Sequence, residues 1–498
     1  MEVEIKRKSH VILAINTITF SICFAVWMLN GVLVTFLVEK GIYDWSPIQV
    51  GWLMGVPVLT GAVLRLPMGI LTDKYGGKWV FVLLLLACSI PVFLLSFADS
   101  FTMFLLLSFG VGIAGSGFAV GVAYTSVWYP KHWQGRALGI FGAGNAGAAL
   151  TTILAPTMLN KLTKGGEYLD GWRVLPMYYA FTLVFVALIF IFFTENKKAE
   201  NPPKKLNQLL KPLGSLRVWR FGLYYFLVFG CFVAFSQWLV PYFVNVYGLS
   251  LVAAGLLASL FSMPSGIIRI LGGWISDKWG ARQLIFNVFL WSIAISFLLI
   301  IPKMDIFSPG NGIQSKNNGK VTFVSEDKII IDTSTYFLKK AKYTNSNFDE
   351  KTLILPKKDN WQTAVVKEGQ EVKKKELIAK GTTKIHFQAN VWIFTILVTL
   401  IGIVWGIGKA GVYKFIPDYF PDEVGVVGGM VGVIGGLGGF VCPIVFGYLL
   451  EWTGVWTSSW MLMLFVSILC YIWMKRVVRN LVRKHAPNIA DDIEYVKK

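Results

Sequence analysis

Residues 65–78 read RLPMGILTDKYGGK, and residues 269–282 read RILGGWISDKWGAR. Arg65 and Arg269, Gly69 and Gly273, Asp73 and Asp277, Lys74 and Lys278, Gly76 and Gly280 coincide at a constant offset of 204, with Lys78 matched by Arg282. A repeat in register over that distance means a chain built of two related halves. Many secondary transporters are built so, with the substrate near the bilayer midplane between the repeats.

The surrounding composition agrees with a membrane setting. Of 498 residues, 55% are apolar and only 15% charged, and mean hydropathy is +0.59, whereas a soluble domain carries about 25% charged residues. A disordered chain is excluded, and a large soluble enzyme is disfavoured. The net charge of +19 is cut into short clusters between apolar runs, so it does not form one nucleic-acid-binding surface. The five cysteines (Cys23, Cys88, Cys231, Cys442 and Cys470) lie inside apolar runs without a CxxC pair, and the four histidines are scattered. No disulfide framework, metal cluster or cofactor is expected from that stock. Lys6, Arg7 and Lys8 precede a long apolar run without a small-residue cleavage site, which reads as a retained first helix.

A spanning helix needs about 20 mostly apolar residues. Twelve stretches qualify, near 11–38, 48–72, 79–97, 102–128, 136–160, 173–194, 218–246, 251–275, 284–302, 390–413, 424–450 and 456–475. Basic clusters at 6–8, 74–78, 131–136, 197–220, 278–282 and 475–484 mark alternate links as cytoplasmic, so both termini are expected inside. The expected fold is therefore an all-α polytopic membrane protein of twelve transmembrane helices in two pseudo-symmetric six-helix halves. Its parts are 1–194, a cytoplasmic linker 195–217 (ENKKAENPPKKLNQLLKPLGSLR), 218–302, an insert 303–388, 389–476 and a cytoplasmic tail 477–498.

The insert holds 16 Lys and 10 acidic residues and no spanning run. Short β-type stretches such as VTFV and IIID predict a β-rich module between helices 9 and 10, outside the cytoplasm by helix count. GKVTFVSEDKIIID and VVKEGQEVKKKELIAKGTTKI weakly resemble a barrel-sandwich of the biotinyl/lipoyl type. The tight turn that carries a modified lysine is not found, and a structural module is the expectation.

Asp73 and Asp277 mark helix ends, and their signature reads as a structural latch comprising Gly69, Asp73, Lys74, Gly273, Asp277 and Lys278. Arg65 and Arg269 lie eight residues earlier, about 12 Å along a helix, which sets both well inside the bilayer. A charge at that depth is costly unless it faces a cavity or a partner. No Asp or Glu falls mid-span to serve as that partner. A third cation, Lys409 in GIGKAGVYK, is also within a span; a buried lysine can snorkel or release its proton. Unpaired buried guanidinium groups suit a small planar oxyanion, which their forked N–H donors can bind in pairs. No nucleophile–base pair or phosphate loop argues for an enzyme.

Helices 5 and 11 carry the glycine-dense texts GIFGAGNAGAALTTILAP (139–156) and GGMVGVIGGLGGFVCPIVFG (428–447). Small residues let helix backbones approach closely. Asn145 stands within the first, as an interhelical hydrogen-bonding group or as a donor to an anion.

The G-x-x-x-D-K-x-G-x-[KR] text, found twice, resembles the loop signature of the major facilitator superfamily. LRLPMGILTDKYGGK, FAVGVAYTSVWYPKHWQGRALGIFGAGNAGAA and the eleventh-helix glycines resemble the nitrate/nitrite porter family within it, over roughly 9–302 and 390–475. The resemblance implies that Arg65 and Arg269 clamp nitrate or nitrite, that Asn145 and Tyr225 donate hydrogen bonds, and that Phe118 and Phe229 form aromatic walls. It also implies a bacterial inner membrane, a monomeric working unit, and either nitrate/nitrite exchange or proton–nitrate symport. Gly406, Gly408, Lys409 and Ala410 replace a text that resembles GxGNG in many relatives, and this makes Lys409 a candidate for coupling or binding. The competing readings are a transporter of a small carboxylate such as formate or oxalate, and a membrane anion sensor acting through the β insert.

Overall fold

The computed structural model describes residues 7–198, 211–300, 304–341, 357–387, 390–420 and 424–485. The middle of the linker expected over 195–217, and the tail beyond His485, lie outside the described residues. Two compact units result, one of residues 1–300 and 395–498 and one of Ile301–Phe394.

The first unit is helical. Eleven helices are long and apolar enough to cross a membrane: Arg7–Glu39, Pro47–Tyr75, Gly77–Phe97, Phe101–Ser126, Trp133–Leu162, Leu169–Phe193, Leu216–Tyr247, Ala281–Leu299, Val391–Tyr419, Val426–Thr453 and Ser458–Asn480. The pair Leu251–Ile267 and Arg269–Trp279, bent by 44°, makes a twelfth. In chain order these are spans 1 to 12, with the bent pair as span 8. The last helix runs on to His485. Side chains such as Phe185, Phe192 and Phe297, each more than 60% exposed, form an outer surface suited to lipid rather than water.

The repeat is legible in the backbone. Spans 2 and 8 start alike: Ser46 accepts from the Gln49 amide and Ser250 from the Ala253 amide, satisfying N–H groups that the first helical turn leaves free. They end alike: Gly76 (φ 91°) and Gly280 (φ 82°) each close one helix and open the next, in a region that only glycine enters cheaply. Both pairs keep the offset of 204. A Cβ at Gly69 or Gly273 would meet nothing within 4 Å, so these two glycines are not required by packing within the chain. At the helix ends, Asp277 pairs with Lys414 at 2.6 Å, Lys78 donates to the Thr194 carbonyl at 2.8 Å and Arg282 to the Tyr419 hydroxyl at 3.1 Å. Asp73 makes no ion pair with a described residue, and Lys8 pairs with Glu195.

The two halves meet through glycine. Span 11 lies against span 2, where a Cβ at Gly55 would stand 2.6 Å from the Phe440 carbonyl and one at Gly436 3.1 Å from Ala62. Span 5 lies against span 8, where a Cβ at Gly266 would stand 2.6 Å from the Ala146 nitrogen. Backbones this close leave no room for a side chain, the usual use of small residues between membrane helices.

The second unit is β-rich. Strands β1 (Met304–Gln314), β7 (Leu377–Phe387) and β5 (Lys357–Ala364) form an antiparallel sheet in the order β1-β7-β5. Strands β4 (Ser334–Phe337), β3 (Lys328–Ile331), β2 (Gly319–Val324) and β6 (Glu371–Val372) form a second, in that order. Val321, Ile329, Ile331, Tyr336, Val372 and Ile378 are among the residues of its own core.

Candidate functional site

Besides the bent span 8, four spans lose α-helical regularity near their middles. Span 1 breaks at Met28, span 4 tightens to a 3₁₀ turn over Gly112–Ser116, span 5 over Ala143–Ala146, and span 7 widens to a π turn over Phe226–Gly230. Glycine supplies most of the backbone freedom, and non-helical backbone at membrane depth is tolerated where protein or a cavity covers it. Phe118, Asn145, Tyr225 and Phe229 lie at or beside these interruptions.

Arg65 is only 4% exposed. Its guanidinium carbon stands 5.1 Å from the ring centre of Phe229, 5.2 Å from Phe118 and 5.7 Å from Trp27. Its Nη1 donates to the Gly432 carbonyl at 2.9 Å, and its Nε has no hydrogen-bond partner among the described residues. Arg269 opens the second helix of span 8, immediately after the bend. Its guanidinium lies 5.8 Å from Phe118 and 5.6 Å from Tyr413, with Nη1 buried and unpartnered. Phe118 is thus the common wall of two guanidinium groups that come from opposite halves. Each arginine also lies on a glycine of the other half: Arg65 on Gly432, and Arg269 on Gly142, where a Cβ would stand 3.3 Å from its Cδ and Nε.

The polar groups expected around the arginines are buried and unspent. Asn145 is fully buried with neither its amide nitrogen nor its oxygen hydrogen-bonded, so the interhelical bond open to it is not made among the described residues. The Tyr225 hydroxyl is likewise buried without a partner, while its ring stacks on Phe229 at 4.9 Å and meets Tyr413 edge-on at 4.9 Å. Buried polar groups are normally hydrogen-bonded, and each exception needs an explanation. Among the described residues of the helical unit, no carboxylate is buried. The positive charges therefore stand without a countercharge.

Lys409 is fully buried as well. Its Nζ lies 3.1 Å from Ser265 Oγ and 3.0 Å from the centre of the Phe232 ring.

Two further residues belong to the site. Tyr413 touches both Arg269 and Tyr225 and donates to the Gly428 carbonyl at 3.1 Å. Its signal is its place one helical turn after Lys409. Trp27 packs on Arg65 and donates to the Pro57 carbonyl at 2.8 Å. A tryptophan at mid-span is itself unusual, since membrane tryptophans concentrate at the interfaces. Among the described residues no group of His, Cys, Asp or Glu could hold a metal ion.

Residues 15–311 and 379–492 match the family model described as Major Facilitator Superfamily. The chain is 36% identical over 489 residues (97% of its length and 95% of the relative's) to a probable nitrate/nitrite antiporter, NarK1, of Thermus thermophilus. It is 24% identical to a nitrite extrusion protein of Bacillus subtilis, covering 95% of this chain and 96% of that one. Among solved structures, a bacterial homologue of the human lysosomal transporter Spinster, inward-facing and occupied, superposes with a TM-score of 0.64 at 13% identity, covering 95% of this chain and 97% of that one. The nucleoside transporter NupG gives 0.60 at 12% identity, covering 93% and 99%. The structural likenesses carry the fold, and the sequence relatives carry the branch: the chain belongs to the nitrate/nitrite porter family of the Major Facilitator Superfamily, whose members are transporters and not enzymes.

Proposed function

We propose that this protein carries nitrate and nitrite across a bacterial inner membrane by alternating access, with one anion held between Arg65 and Arg269. The observation that carries the reading is the Phe118 ring shared by two guanidinium groups of opposite halves, at 5.2 and 5.8 Å. Arg65 Nε, Arg269 Nη1, the Asn145 amide and the Tyr225 hydroxyl are buried donors without a hydrogen-bond partner among the described residues. A planar anion with three oxygens can accept from two guanidinium forks at once. Such charge-assisted bonds are strongest where water is excluded, and the aromatic walls exclude it. The names of the relatives in Thermus thermophilus and Bacillus subtilis point to the same substrates.

Because the arginines sit on different halves, a bound anion draws the halves together and an empty site leaves two cations opposed. The glycine seams of span 2 with span 11 and of span 5 with span 8 are the surfaces on which the halves rock. The working unit is a monomer with both termini cytoplasmic and the β unit on the periplasmic side. The test is uptake of labelled nitrate into proteoliposomes preloaded with nitrate or nitrite. Rapid counterflow, competed by nitrite and not by formate or oxalate, is the expected result. Counterflow of formate or oxalate without nitrate movement would overturn the substrate.

A further inference from the structure

Lys409 is the one buried cation of the helical unit that the anion clamp leaves unused among the described residues. Its surroundings are specific. Ser265 Oγ at 3.1 Å is its one hydrogen-bond partner among the described residues, and the Phe232 ring lies 3.0 Å from its nitrogen. A hydroxyl can accept from an ammonium or donate to an amine lone pair. The same pocket therefore satisfies the side chain charged and uncharged, which a carboxylate or a carbonyl would not do.

The pocket is wired to the clamp. Ser265 precedes Arg269 by one helical turn on span 8, with the 44° bend between them. The hydrogen-bond ladder continues through that bend, from the Ile268 amide to the Pro264 carbonyl at 2.8 Å and from the Gly272 amide to the Ile268 carbonyl at 3.0 Å. Span 10 seats on that segment through Gly406, whose Cβ would stand 2.6 Å from the Ser265 carbonyl. Arg269, one helical turn after Ser265, is the charged group of span 8 nearest in the chain to that serine. Beside Gly408, spans 7 and 9 present Val228 and Val288, and span 7 adds Phe232; none of the three titrates.

We propose that Lys409 is the proton-carrying residue that couples transport to the proton gradient, a positioning and coupling group outside the anion clamp. The inference rests on the nitrate/nitrite reading of the arginine pair. A proton from one side of the membrane bonds to the amine lone pair of Lys409, and the ammonium returns it to the other side. Two like charges on Lys409 and Arg269 repel, and an anion on Arg269 offsets that repulsion. Proton and anion therefore bind with mutual stabilisation, and by linkage each raises the affinity for the other equally. A carrier that turns over with both bound or neither bound is a symporter, built here without a buried carboxylate among the described residues of the helical unit.

The experiment compares two modes of transport in the same vesicles: nitrate counterflow at equal pH, and nitrate accumulation into nitrate-free vesicles driven by an inward proton gradient. Wild type is expected to do both. In Lys409→Gln, which cannot be charged, and Lys409→Arg, which cannot release its proton, the ratio of accumulation to counterflow is expected to fall at least about tenfold. Retention of the wild-type ratio by either variant overturns the proposal, and retention by Lys409→Arg identifies a static charge instead. Counterflow without gradient-driven accumulation in wild type overturns the coupling role and leaves the transport reading standing. Absence of nitrate movement in both modes overturns both. A second measurement needs no variant: nitrate added to purified wild-type protein in weakly buffered detergent should take up about one proton per bound anion, and no uptake overturns the proposal.

Discussion

Arg65 Nη1 donates to the carbonyl oxygen of Gly432 at 2.9 Å, joining span 2 of the first half to span 11 of the second. The cation that faces the shared Phe118 ring is thus also a tie across the interface between the two halves. Its counterpart, Arg269, makes no such hydrogen bond among the described residues and lies beside Gly142, where a Cβ would stand 3.3 Å from its Cδ and Nε. One half holds its arginine by a hydrogen bond, and the other holds its arginine by shape.

That asymmetry predicts unequal consequences for replacing the two guanidinium groups. On the proposed clamp, Arg65→Lys removes both the fork that would hold the anion and the hydrogen bond to Gly432, whereas Arg269→Lys removes no hydrogen bond to a described residue. Each loses charge-assisted bonds worth about 1.5–3 kcal/mol, so nitrate affinity in counterflow should fall roughly ten- to a hundredfold in both. Thermal stability in detergent without anion should drop in Arg65→Lys and stay near wild type in Arg269→Lys. Equal stability losses would remove the interhalf tie from this account.

Asn145 offers a test that separates a binding role from a structural one. Its amide is fully buried with neither atom bonded to protein, and replacing an unsatisfied buried polar group by an apolar one is neutral or stabilising. Asn145→Ala should therefore leave the melting temperature of the anion-free protein unchanged or raised. The increase that saturating nitrate gives to wild type should shrink or vanish. A melting temperature lowered by several degrees without anion would show that the amide holds the helices together.

Much of the fold was legible because membrane burial writes itself in long apolar runs and because the repeat kept its register at Ser46 and Ser250, Arg65 and Arg269, Gly76 and Gly280. The depth of the arginines followed from their distance to the helix ends. What the sequence hid is the set of mid-span interruptions at Met28, Gly112–Ser116, Ala143–Ala146 and Phe226–Gly230. Glycine and alanine permit such turns without demanding them, and neighbouring spans decide. Tyr413 and Trp27 escaped for a related reason: an aromatic residue in an apolar run looks like packing until the arginine it faces is placed beside it.

The glycines of span 11 divide sharply by what lies across from them. At Gly435 a Cβ would overlap the Tyr225 ring, whereas at Gly429 it would meet nothing within 4 Å. Overpacking of a close interface costs about 1–3 kcal/mol. Gly435→Ala should lower stability by that amount and displace Tyr225, with a loss of nitrate counterflow, while Gly429→Ala should match wild type in both assays. Similar behaviour of the two would mean that close approach at Gly435 does not explain the glycine run, since helix propensity alone favours alanine at both positions.

The paired turns after spans 2 and 8 give a last comparison, between positions that the repeat makes equivalent. Gly76 and Gly280 both hold positive φ with extended ψ, at 91°/150° and 82°/139°, so alanine at either brings backbone strain of about 1–3 kcal/mol. The surroundings differ. A Cβ at Gly76 would also overlap the Asn196 side chain, which donates to the Tyr75 carbonyl at 2.9 Å, whereas at Gly280 it would meet nothing within 4 Å. Gly76→Ala should therefore cost more than Gly280→Ala, and Asn196→Ala in the Gly76→Ala background should recover part of the difference, read as melting temperature in detergent. The substitution at Gly280 reports strain alone, so equal losses at both turns would show that the Asn196 contact adds nothing to the first.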